Sequence, residues 1–145
     1  MIRNVFGIIP FVVLALLLTT GCGGDSYPSV HWKGNVTIDG QPVPSDAKAE
    51  IMVRLVDARK KSIGVSAKIV DGAYDLPKVP QGDVMVEFSI YRETPSKHAA
   101  DAGRGIMDTE DLLPKWLRNG KGLRETAGSD NLSKNFDLTK NKPKD

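Results

Sequence analysis

Cysteine is almost missing from this chain: its 145 residues hold one, Cys22, so no intrachain disulfide can staple the fold. Histidine is nearly as scarce, with His31 and His98 alone, which removes the His-rich patterns that zinc sites and many general bases require. Aromatic residues make up 6% and the formal net charge is +2, with acids and bases interspersed. A nucleic-acid partner is excluded on those grounds, because phosphate binding wants a clustered basic face and single strands want stacking rings. No apolar stretch reaches the roughly 20 residues of a membrane-spanning helix.

What the first residues do contain is the layout of an export signal. In MIRNVFGIIPFVVLALLLTTGC, Arg3 precedes an apolar run from Val5 to Leu18, and small residues follow up to Cys22. A lone thiol in an exported chain invites misjoining, so its retention asks for a reason. Thr20, Gly21 and Cys22 resemble the processing site of a bacterial lipoprotein. That resemblance implies cleavage of residues 1–21, a diacylglycerol thioether on Cys22, and a membrane partner reached through the lipid. It further implies a place in the cell envelope, the outer membrane being favoured because no aspartate follows Cys22. Residues 22–29 then serve as a short tether.

Beyond the tether the apolar period is two. Val30, Trp32, Val36 and Ile38 share one face of a first strand, and Ile51, Val53 and Leu55 one face of a second. Ile63, Val65, Ala67 and Ile69 make a third, and Val84, Val86, Phe88 and Ile90 a fourth. Asp39-Gly40 and Asp71-Gly72 carry the residue pair that closes tight turns. Arg59-Lys60-Lys61 reads as an exposed turn, and Pro77, Pro80 and Gly82 as a break in regular structure. Short strands at this spacing predict an all-β fold, a small antiparallel β-sandwich over residues 30–139.

Between Glu93 and Gly128 the period fails, and this stretch is expected to be a long irregular excursion before the last strand. Thr109 to Leu113 offers a short capped helix that Pro114 would stop, with Leu112, Leu113, Trp116 and Leu117 pinning the excursion to the sandwich. Leu132, Phe136 and Leu138 form the closing strand, and residues 140–145 a flexible basic tail.

VHWKGNVTIDGQPVP and VDGAYDLPKVPQGDVMVEFSIY together resemble the carboxypeptidase regulatory-like, transthyretin-like (prealbumin-like) module of exported bacterial proteins. The matching positions are Asp39, Gly40, Pro42 and Val43, then Asp71, Gly72, Tyr74, Leu76, Val79, Pro80 and Gly82. The late LLPKWL segment and the final FDL make the whole similar to small planctomycete lipoproteins. The resemblance implies a sandwich of about seven strands used for binding, spacing or display, and it implies no chemistry.

A search for chemistry finds little. There is no Gly-x-Ser-x-Gly elbow for a hydrolase. His98 has Asp101, Asp108, Glu110 and Asp111 near it in sequence, but without ligand spacing for zinc or the glycine turn of a calcium loop, so solvated loop charge is the reading. No metal, cofactor or catalytic residue is assigned. Trp32 is in phase with the core, whereas Trp116 with Arg118 and Arg124 form a candidate ligand rim. The sequence therefore predicts a non-enzymatic, membrane-anchored envelope lipoprotein displaying a binding or structural module, with a protein or glycan partner. The rival readings are a soluble secreted carbohydrate- or metal-binding module and, further off, a small hydrolase.

Overall fold

The computed structural model describes residues 27–57, 63–129 and 133–140. The leader, Cys22, most of the tether, Arg59-Lys60-Lys61, Leu132 and residues 141–145 lie outside them.

The fold is all-β, two sheets packed as a sandwich, with nine strands among the described residues. In chain order these are β1 (Ser29–Ile38), β2 (Gln41–Pro42), β3 (Lys48–Leu55), β4 (Gly64–Lys68), β5 (Ala73–Pro80), β6 (Gly82–Pro95), β7 (Met107–Asp111), β8 (Gly122–Ala127) and β9 (Phe136–Leu138). One sheet runs β2-β1-β5, with β9 also on β1; the other runs β4-β3-β6-β7, with β8 also on β6. Period two decides which residues meet between the sheets. Trp32 and Val36 of β1, Ile51 and Val53 of β3, Leu76 of β5 and Val84 and Val86 of β6 are fully buried there. Phe136 brings β9 into the same core, its ring centroid 5.4 Å from Phe88, 6.0 Å from Tyr74 and 6.5 Å from Trp32.

Turn chemistry follows the sequence. Asp39 and Gly40 have φ of 50° and 75°, and Asp71 and Gly72 have 51° and 79°, the paired positive values that suit right-twisted hairpins and that Asp-Gly tolerates.

Three features differ from the sequence-based expectation. The stretch after Glu93 is not an irregular excursion. β6 continues to Pro95, a short helix α1 (Ala99–Ala102) turns the chain, and β7 and β8 both return to β6. Met107 to Asp111 is polar and mostly exposed, so it shows no alternation; its strand state comes from pairing with β6, which sequence period does not report. The helix expected from Thr109 is absent for the same reason, and the turn there is a 3-10 turn at Lys115–Leu117. Second, β5 runs through Pro77 to Pro80. The pairing of β1 and β5 shifts register between Val30 and Trp32, and such a bulge on a sheet edge accommodates a proline. Third, the closing strand β9 lies parallel to β1, Val36 opposite Phe136 and Ile38 opposite Leu138.

The topology gives the sandwich two distinct poles. At one, Ser29 opens β1 opposite Pro80, the Gln81 N–H donates to the Pro28 carbonyl at 2.9 Å, and Gly82 pairs with Ala127. At the other lie the end of β1, the Asp39-Gly40 turn, Tyr91 of β6 and the Leu112 to Arg118 segment, whose Leu112 N–H donates to the Ile90 carbonyl at 3.0 Å. Tyr27 and Pro28, which precede β1, lie at the first pole.

Candidate functional site

Outward-facing residues of β3 and β6 build a hollow at the second pole. Register sets Lys48 opposite Tyr91 and Glu50 opposite Ser89, while β4 brings Lys68 opposite Glu50. Ser89 and Tyr91, two apart on one strand, share the solvated face. Ser89 is short, so the space above it stays open beside the half-buried Tyr91 ring. With the Pro44 to Ala47 loop and the Ile69 to Asp71 turn as walls, the hollow encloses about 450 Å³. Val70 is 63% exposed on its lip and adds an apolar edge.

Lys48 at the hollow and Arg92 beside it are held in place by partners. Lys48 Nζ donates to Glu93 Oε1 and lies 6.0 Å from the Tyr91 ring centroid. The hydrogen bond to Glu93 raises the Lys48 pKa above its ordinary 10.5 against a smaller opposing effect of desolvation, so the ammonium is charged at neutral pH. Arg92, on the other side of β6, bridges Asp46 at 2.7 Å and Glu110 at 3.7 Å, fixing the β2-β3 loop to β7. Such exposed pairs contribute little to stability but orient side chains.

The residues expected to form a ligand rim are dispersed. Trp116 packs against the core edge, and its indole N–H donates to the Thr139 carbonyl at 2.9 Å. Arg118 turns back on its own segment: Nε donates to the Leu113 carbonyl at 2.8 Å and a terminal nitrogen to the Asp111 carbonyl at 3.1 Å. These two fasten the Leu112 to Arg118 segment beneath Ile38 and Lys140, around a second hollow of about 320 Å³. Arg124 is elsewhere, on β8 opposite Met85 and nearer the first pole, beside Asp83.

His31 stands on the outer face of the other sheet, its Nε2 2.6 Å from Asp75 Oδ1. The acids around His98 are engaged singly. Asp108 accepts the Lys97 N–H, Asp111 accepts the Leu113 N–H, and Glu110 faces Arg92. Among the described residues no three of His, Cys, Asp and Glu converge on a point where a metal ion could sit.

The Tyr91 hollow was not among the sites read from sequence. The available signal was an aromatic off-phase from its strand, since Val84, Val86, Phe88 and Ile90 point inward and Tyr91 points out. Lys48, Glu50 and Lys68 gave no such signal, because exposed charge on strands is ordinary.

No protein-family model matches the chain, and no curated protein matches it. A solved Pseudomonas aeruginosa structure, described as a "putative carbohydrate binding protein", is a distant likeness. It overlies 81% of this chain and 92% of its own length at 12% identity, with a TM-score of 0.41.

Proposed function

We propose that this chain is an exported, membrane-tethered binding module, held by a lipid on Cys22 and acting by recognition rather than catalysis. One observation carries the reading. The tether joins β1 at the pole where Ser29 pairs with Pro80, and the Tyr91 hollow lies at the opposite pole. An anchor at one end and a recessed, chemically mixed surface at the other is the arrangement a display module needs. β1 alone spans ten residues between them, about 33 Å of extended chain.

The leader supports the anchor. The apolar run, the small residues before Cys22 and the lone thiol agree with lipoprotein processing, and several acyl chains at about 0.8 kcal/mol per buried methylene hold a small domain durably. The likeness of the Asp-Gly-x-Pro-Val and Asp-Gly-x-Tyr-x-Leu segments to transthyretin-like modules fits display in the envelope, with the outer membrane as the favoured location.

The test is the intact mass of the N-terminal peptide from membrane-extracted protein, wild type beside Cys22→Ala. Acyl mass on Cys22, with the variant released from the membrane, is the expected result. An unmodified thiol, or a mature chain starting elsewhere, refutes the anchor and leaves the second reading, a soluble secreted carbohydrate-binding module. The aromatic and hydroxyl lining of the Tyr91 hollow favours that ligand class whether or not the chain is tethered.

A further inference from the structure

We infer that the hollow beside Tyr91 is a saccharide site, and that it takes a neutral sugar. The inference rests on the binding-module reading above but not on the lipid anchor.

The shape comes from register. Tyr91 and Ser89 follow each other on the outer face of β6, with Lys48 and Glu50 across from them on β3 and Lys68 beyond Glu50 on β4. A large flat ring next to a serine makes a plate with a recess at its foot. The enclosed volume of about 450 Å³ falls within the 300–1,000 Å³ typical of small-ligand sites.

The chemistry comes from what the recess presents. Tyr91 serves no core function, being half-buried on the solvated face, and its ring, with Lys48 Nζ 6.0 Å from the centroid, is the flat surface against which an apolar C–H face would lie. Around it stand Lys48, Lys68, Glu50 and Asp71, with Lys48 paired to Glu93. One remaining ammonium therefore faces two carboxylates, so the recess does not draw an anion. It does give separate donors and acceptors on opposite walls, with the Ser89 hydroxyl able to play either part. A sugar's hydroxyls both donate and accept, so they use both walls at once while the ring face covers Tyr91. A phosphate or carboxylate ligand would meet Glu50 and Asp71 unpaired, and a cation would meet the Lys68 ammonium.

The experiment is an amide chemical-shift titration of the purified, detergent-solubilised mature protein. The probes are four neutral disaccharides (cellobiose, maltose, lactose and chitobiose), with glucuronate and glucosamine as charged controls. At least one neutral disaccharide is expected to shift the amides of Ser89 and Tyr91 at millimolar concentration. Tyr91→Ala should weaken that binding about tenfold, whereas Tyr91→Phe, which keeps the plate, should stay within about twofold. Ser89→Arg fills the recess and should abolish the response. All three changes lie on the solvated face, and unchanged dispersion of the core amides confirms that the variants fold.

The proposal is overturned if no neutral disaccharide shifts these amides, if Tyr91→Ala binds within about twofold of wild type, or if a charged control binds more tightly than every neutral sugar. Shifts confined to another surface also overturn it while leaving the binding-module reading in place.

Discussion

Replacing Gly34 by alanine tests how the closing segment is held. Gly34 sits mid-β1 with an ordinary φ, so its need for glycine is not conformational. A Cβ at this position would overlap the Lys134 carbonyl and lie 2.9 Å from Asn135 Oδ1. The same Lys134 carbonyl accepts the Tyr74 hydroxyl at 2.6 Å, and Asn135 Oδ1 accepts the Asn35 N–H at 2.9 Å. One methyl group therefore pushes backbone away and breaks the bond of a buried phenol. Overpacking of this kind costs about 1–3 kcal/mol, and leaving a buried polar group unpaired about 1–3 more. The central expectation is about 3 kcal/mol, a large share of the 5–15 kcal/mol typical of a domain. Followed by circular dichroism on heating, Gly34→Ala should lower Tm by about 10–20 °C. Gly128→Ala is the control: nothing lies within 4 Å of its added methyl and its φ is not positive, so its effect should stay within about 0.5 kcal/mol. Amide exchange should then rise first at Asn35 and in β9. A drop of under about 2 °C for Gly34→Ala would mean that residues 133–135 do not seat on β1 as described.

Two further outcomes follow from buried groups. Burial, then the charge of Glu125, pushes the Tyr74 phenol above its ordinary 10.0. The unfolded chain releases this proton first, so the Tyr74 contribution is fully present below about pH 10 and is lost as pH rises from there toward the higher folded value. Urea midpoints at a series of pH values should show wild type losing stability above pH 10, with Tyr74→Phe less stable by about 1 kcal/mol at neutral pH but flatter in alkali. Parallel curves for the two proteins would refute this. Leu117, 2% exposed within the segment that lacks sequence period, makes the second case. Leu117→Ala should cost about 2–5 kcal/mol in denaturant unfolding, as a core truncation does, and a cost below 0.5 kcal/mol would place the segment outside the core.

Legibility differed from element to element for identifiable reasons. β1, β3, β4 and β6 were readable because each has one face in the core and one in water, and that difference is written into alternate residues. The turns at Asp39-Gly40 and Asp71-Gly72 were readable because few residues accept a positive φ. β7 and β8 were hidden: Met107 to Asp111 is mostly solvated, and Gly122 to Ala127 places one arginine and one glutamate side by side mid-strand, with no apolar alternation. Gly122 allows β8 its approach to β6, since a Cβ there would crowd the Val86 carbonyl at 2.5 Å, and no local pattern announces that contact.

The candidate site divided along the same line. Trp116 and Arg118 stood out by residue type, yet they fasten a turn, and Arg124 lies nearer the other pole. Tyr91, Ser89, Glu50 and Lys68 come from three strands and become neighbours only through cross-strand register.

By itself, then, the sequence determined the apolar faces, the tight turns and the sandwich class, because these depend on single side chains and their period along the chain. The parallel seat of β9, the return of β7 and β8 to β6, the two opposed poles and the Tyr91 hollow were decided by the tertiary structure. Each depends on which strand edges meet and at what offset, an energy shared among distant backbone groups that no short stretch of residues encodes.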